Sequence, residues 1–118
     1  MNIIISNVSQ SPIYEQVATQ IKNNILSGVL SEGEMLPSIR TLAKDLRISV
    51  ITTKRAYEEL EKEGFINTIA SKGCFVAKKN TAFIREEYLK QIEEHIAKAK
   101  KLAIYCNLTD EELLKMFE

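Results

Sequence analysis

The chain has 118 residues, of which 45% are hydrophobic and 27% charged, with 16 basic and 16 acidic side chains and a net charge of zero. These proportions fit one small globular domain, or a domain with an appendage, whose modest core needs no covalent staples. No apolar run approaches the ~20 residues that cross a bilayer, and the "IIIS" near the start lacks the charged n-region and long apolar stretch of a signal peptide, so a cytoplasmic protein without a membrane partner is expected.

Ile3 and Ile5 alternate with Asn2 and Ile4, which suggests a short edge strand. The "SP" at 11–12 then opens a helix, with Ser11 as N-cap, Pro12 at the first helical position and Glu15 in the positively polarised first turn. Ile13, Val17, Ile21 and Ile25, with Tyr14 and Leu26 beside them, form one apolar stripe that Gly28 terminates. A loop, "VLSEGEMLP", follows. Ser38 caps a short helix carrying Ile39, Leu42, Ala43 and Leu46; "RIS" at 47–49 is a turn; Ser49 caps a helix that runs to Gly64. Two β-rich runs, 65–69 and 74–77, flank "ASKG" and predict a hairpin with Gly73 near its tip. Helix, short helix, tight turn, helix and hairpin in that order describe a winged helix-turn-helix.

Residues 82–105 differ in character. Ile84, Tyr88, Ile92, Ile96, Ala99 and Ala103 recur at steps of three or four, Leu89 and Leu102 widen the stripe, and Glu and Lys occupy the other face. Thr109 and Glu112 form a capping box that opens a last short helix. Two helices this short cannot bury their apolar faces alone, so they pack on the head or on a second copy of themselves. A homodimer built on the stripe is the expected arrangement. The expected fold is therefore mainly α with a small β-wing: a DNA-binding head over residues 1–79 and a helical dimerisation tail over 80–118.

The helix after Ser49 begins with Val50, Ile51, Thr52 and Thr53, all β-branched and poor helix formers. Its core face falls on Thr53, Ala56, Tyr57 and Leu60, which leaves Val50, Ile51, Thr52, Lys54 and Arg55 on or near the outer face. Such a first turn suits a recognition helix in a major groove, where apolar groups meet thymine methyls and Thr52, Lys54 and Arg55 reach bases or phosphates. The capping residues Ser38 and Ser49 belong to the same surface, and Arg40 can reach the DNA backbone. Lys72 and Gly73 in the wing would approach a minor groove. The cation balance supports this only weakly. Residues 1–80 carry ten Lys/Arg against eight acids, and residues 81–118 carry six against eight. An alternative use of the apolar Val50–Ile51 tip is docking a protein partner without specific DNA binding.

Enzymatic chemistry has no foothold in the sequence: there is no Gly-rich phosphate loop and no plausible nucleophile–base pair. Cys74 and Cys106, widely separated and accompanied only by His95, are too few for a zinc site and read as reduced thiols. No cofactor or metal is expected.

The string "LPSIRTLAKDLRISVITTKRAYEELEKEGFI", followed by "SKGCFVA", resembles the gluconate-repressor (GntR) family of bacterial transcription factors over roughly residues 10–77. The start "IIIS…SPIYEQVATQIKNNILSG" and the short tail resemble its YtrA-type subfamily. The resemblance implies a homodimeric repressor on an inverted-repeat operator, controlling a nearby transporter operon, with no large effector-binding domain; a small-molecule effector stays open. It also implies that Arg40 contacts the backbone, that Ser49, Thr52 and Lys54 occupy contact positions, and that Gly73 is the wing glycine. The sequence departs from the family pattern at Ile39, usually Glu, at Arg47, usually Gly, at Val50, often Arg or Pro, and at Ile51, commonly Asn or Thr. Arg47 is then expected in a left-handed conformation, and the operator cannot be borrowed from relatives.

Overall fold

A computed structural model describes residues 1–118, which divide into two compact units, Met1–Lys79 and Asn80–Glu118. The first unit runs α1 (Ile13–Leu26), α2 (Ile39–Leu46), α3 (Val50–Lys62), β1 (Ile66–Ile69) and β2 (Gly73–Val76). Val17, Ile21 and Ile25 of α1 meet Leu42 and Ala43 of α2 and Ala56, Tyr57 and Leu60 of α3 in one core, closed by Phe65, Ile66 and Val76. Burying each large apolar side chain contributes about 1.5–3 kcal/mol. Thr53 is also fully buried, and its hydroxyl donates to the Ser49 carbonyl at 3.1 Å, so no polar group is left unsatisfied there.

The wing is an antiparallel hairpin in which Ile66 pairs with Val76 and Ile69 with Gly73. A third segment lies along the other edge of β2. Gly33 and Leu36 donate to Val76 and Cys74 at 2.9 and 2.8 Å, Val76 donates back to Glu34 at 2.9 Å, and Met35 bridges Phe75. Both edges of β2 are therefore occupied. This pairing converts part of the predicted loop into a strand-like support that ties the wing to the segment leading into α2.

Three sequence expectations are corrected. Ser11 does not cap α1: Pro12 is the N-cap, without a side-chain cap, and its carbonyl accepts from Glu15 and Gln16, both at 3.1 Å. Its fixed φ of −57° with ψ of 151° holds the residue just outside the helix, which leaves Ser11 one position too early to reach the first-turn amides. Residues 2–6 form no strand, because no other strand lies beside them. Their backbone is instead gripped by side-chain amides of α1: Gln20 bonds both the N–H and the carbonyl of Ile4 at 2.9 and 2.7 Å, and Gln16 does the same for Ser6 at 2.8 and 3.0 Å. Gly73 is not at the wing tip but is the first residue of β2; the tip comprises Ala70, Ser71 and Lys72, with the left-handed φ of 68° falling on Ser71.

The second unit holds α4 (Thr81–Tyr105) and α5 (Asp110–Lys115). Asn80 caps α4 by accepting from the Phe83 N–H at 2.8 Å, and Thr109 with Glu112 completes a reciprocal capping box on α5. Along α4, Tyr88, Ile92, Ile96 and Leu102 are exposed, whereas Ile84, Leu89 and Ala99 are partly covered. Ala103 departs from the expected stripe. It is buried where the chain turns back through Asn107, at φ 60°, and Leu108 donates to its carbonyl at 2.8 Å. No helix is long and apolar enough to cross a membrane.

Candidate nucleic-acid interface

The helix-turn-helix is built from two copies of one capping device. Ser38 caps α2, accepting from the Thr41 N–H at 3.1 Å and donating its own proton to the Thr41 hydroxyl at 2.8 Å. Ser49 caps α3 in the same way, with Thr52 at 3.0 and 2.7 Å. Each Ser-x-x-Thr pair satisfies a first-turn amide and so offsets the weak helix propensity of the β-branched residues beside it. Each serine hydroxyl is thereby engaged with the first turn of the helix it caps.

Between the caps lies the turn, where Arg47 takes the left-handed conformation its position suggests, at φ 56° and ψ 46°. An arginine there is strained by roughly 1 kcal/mol relative to glycine. The turn ends α2 and delivers Ser49 directly to the start of α3.

On α3 the outer face opens as the periodicity predicts. Ile51 is 80% exposed and Val50 48%. An isoleucine this open at a helix start gains almost nothing from folding, and Val50 beside it is only half covered. Lys54 is exposed and lies 4.0 Å from Glu58, one turn on; both side chains are well solvated, so the pair restrains Lys54 only weakly. Arg55 is exposed too, but its guanidinium carbon sits 3.8 Å from the centroid of the Tyr14 ring on α1.

The wing approaches the flank of α3. An open cleft is lined by Ile39 at the start of α2, by Lys54, Tyr57, Glu58, Glu61 and Lys62 of α3, and by Thr68 and Cys74 of the wing. Within it the Thr68 hydroxyl donates to Glu61 and lies 3.4 Å from the Cys74 sulfur. The start of α2, the exposed side of α3 and the wing strands therefore share one side of the unit. Lys72 is exposed at the tip, its N–H donating to the Ile69 carbonyl at 3.0 Å to close the turn. Gly73, with φ 123°, faces Met35: a Cβ there would stand 3.6 Å from the methionine sulfur. That is ordinary van der Waals contact, so the demand for glycine here comes from its positive φ rather than from lack of space.

Arg40 occupies the first turn of α2 and is exposed. Arg40, Lys54, Arg55 and Lys72 thus all lie in the exposed layer of the α2–α3–wing unit. Two participants escaped the sequence reading. Thr41 was legible in principle, because the spacing Ser38–Thr41 repeats as Ser49–Thr52. Tyr14 was not, since its contact with Arg55 joins residues that only the tertiary fold brings together. Nowhere do three or more His, Cys, Asp or Glu side chains gather to hold a metal ion.

A three-helix core, a serine-capped α2–turn–α3 pair and a supported hairpin define a winged helix-turn-helix protein. The model of the family described as "Bacterial regulatory proteins, gntR family" matches residues 13–76. The chain is 34% identical over 110 residues to the HTH-type transcriptional repressor YtrA of Bacillus subtilis (strain 168), covering 93% of this chain and 82% of that one. Among solved structures it is similar to a transcriptional antiterminator from Listeria monocytogenes EGD-e, with a TM-score of 0.78 and 32% identity over 98% of this chain and 87% of that one. It is also similar to AraR(DBD) in complex with operator ORX1, with a TM-score of 0.57 and 25% identity over 63% of this chain and 92% of that one. The chain belongs to the GntR family of bacterial regulatory proteins and is a DNA-binding transcriptional regulator rather than an enzyme.

Proposed function

We propose that the protein is a homodimeric repressor that binds an inverted-repeat operator in the cytoplasm, each subunit placing the start of α3 in a major groove and its wing against the adjacent minor groove. The observation that carries this reading is the first turn of α3: an open Ile51, a half-open Val50 and the cations Lys54 and Arg55 together on the helix that follows the turn. Apolar contacts to thymine methyls suit Val50 and Ile51, which supports A·T-containing steps in each half-site. In this reading Lys54 reads a base edge, and Arg40 and Lys72 contact phosphates. The exposed Tyr88, Ile92, Ile96 and Leu102 of α4 support self-association of the second unit, since a stripe of large apolar side chains left in water is destabilising unless covered. A two-fold axis through that stripe would set two half-sites about one helical turn apart.

The test is selection of binding sequences from random duplexes, followed by titration of the winner at several salt concentrations. A palindromic winner bound by two chains, with log K falling steeply against log salt, is the expected result. No enriched sequence, with binding that ignores salt, would overturn the reading and favour the Val50–Ile51 tip as a protein-docking patch.

A further inference from the structure

We propose that Tyr14 is a positioning residue: its ring holds the Arg55 guanidinium as a preset fork for a DNA phosphate at the α1 edge of the recognition helix. The inference deepens the DNA-binding reading above and rests on it.

Arg55 follows Ile51 by one helical turn, so the two side chains lie on neighbouring positions of the outer face of α3, opposite the buried Thr53, Ala56, Tyr57 and Leu60. Tyr14 stands in the first turn of α1 and is half-buried. The guanidinium carbon at 3.8 Å from the ring centroid is at stacking distance, the geometry in which an arginine covers an aromatic face. A stacked guanidinium keeps its N–H donors in its own plane, directed away from the ring and available to another partner. Arg55 is in no ion pair, and no carboxylate accepts from it. Lys54, its neighbour, lies instead within reach of Glu58.

An exposed arginine without a carboxylate ordinarily samples many rotamers, and a ligand that binds it must bear the loss of that freedom. Stacking on Tyr14 removes much of this loss in advance without neutralising the charge or occupying the donors. The planar fork that remains matches two oxygens of one phosphate, a match lysine cannot make. Because the ring that orients it belongs to α1, Arg55 is drawn towards the flank of α3, which favours the phosphate strand beside the groove over the base edges within it.

A double-mutant cycle on the full-length protein, with the selected operator duplex as probe, tests this. Arg55→Gln should reduce the slope of log K against log salt by about one. Tyr14→Leu should weaken binding about two- to fivefold, the scale of an exposed cation–π contact, with the slope largely retained because the charge is still present. In the Arg55→Gln background the same Tyr14 change should have no further effect, and Tyr14→Phe should behave as the parent because it keeps the ring. Arg55→Lys should keep the slope, lose affinity and become insensitive to Tyr14→Leu. Equal losses from Tyr14→Leu with and without Arg55 would make Tyr14 merely structural and overturn the proposal, as would an unchanged slope in Arg55→Gln. Lys54→Ala, measured alongside, separates the two levels. If it weakens binding while the Arg55 slope stays put, only this inference fails; if neither substitution matters, the DNA reading of α3 fails with it.

Discussion

The Tyr57 hydroxyl donates to the Pro37 carbonyl oxygen at 2.7 Å, fastening the middle of α3 to the residue that precedes the Ser38 cap of α2. Pro37 lies outside α2, so no N–H of that helix accounts for its carbonyl. The bond therefore fixes where α2 begins relative to the recognition helix. Burial holds the Tyr57 phenol well above its usual range, because the phenolate would lose both solvation and its role as donor. The folded protein keeps this proton where the unfolded chain gives it up near pH 10. The contribution is thus intact below about pH 10 and is lost as pH rises beyond that value. Tyr57→Phe should cost about 1–2 kcal/mol and reduce the alkaline fall in stability. Urea titrations between neutral and strongly alkaline pH, read as shifts in midpoint at constant m, check both.

Arg47→Gly should stabilise the head by roughly 0.5–1 kcal/mol, since the left-handed φ of 56° strains arginine and not glycine. A rise in the denaturant midpoint with unchanged m is the expected readout. A fall would mean that the Arg47 side chain contributes more at this turn than its backbone conformation takes away.

Lys54 and Arg40 should lose affinity in different ways. Lys54→Ala should cost about 1–3 kcal/mol on the selected operator and little on unrelated duplexes, as expected of a base contact. Arg40→Ala should weaken all sequences alike and lower the salt slope by about one. Parallel anisotropy titrations on operator and scrambled DNA distinguish them, and a uniform loss for Lys54→Ala would demote it to a phosphate contact.

Ile92→Lys places a charge in the middle of the exposed stripe on α4. It should convert a dimer to a monomer in sedimentation and abolish tight operator binding, because a single half-site contact forfeits the second recognition helix. A dimeric Ile92→Lys protein would move the self-association surface away from this stripe.

The capping box on α5 predicts an acid transition. The Thr109 backbone N–H, followed by its hydroxyl, holds the Glu112 carboxyl below its usual range. A depressed carboxylate stabilises the fold above its unfolded value and loses that effect as pH falls through the folded one. Residues 110–115 should therefore lose amide-exchange protection on acidification before α3 does. Thr109→Ala should remove protection there already at neutral pH.

Much of this architecture is legible in the sequence because local chemistry dictates it. Ser38, Ser49, Thr109 and the glycine at position 64 mark their helix ends by capping and by left-handed φ, and the buried face of α3 follows from period 3.6 alone. What escapes is tertiary. A run such as Ile3–Ile5 reads as a strand, yet strands need partners, and the glutamines that replace one lie on a different element. The pairing of residues 33–36 with β2 leaves no periodic trace in the loop "VLSEGEMLP", and Ala103 fits the α4 stripe until the turn through Asn107 covers it. In the interface the cations and the open apolar turn are visible from spacing. The stacking of Arg55 on Tyr14 is visible only once the helices are packed.

The Tyr14–Arg55 stack has a spectroscopic corollary. The chain contains no tryptophan and four tyrosines, so every ultraviolet signal of aromatic origin above the phenylalanine band comes from positions 14, 57, 88 and 105. One of these rings lies under a cation beside the recognition helix, one is sealed in the head, and two stand exposed on the tail helix. Tyrosine fluorescence, to which the bases of a duplex add almost nothing, can therefore follow DNA engagement, unfolding of the head and association of the tail on separate native fluorophores, with single Tyr→Phe substitutions assigning each signal and no label attached.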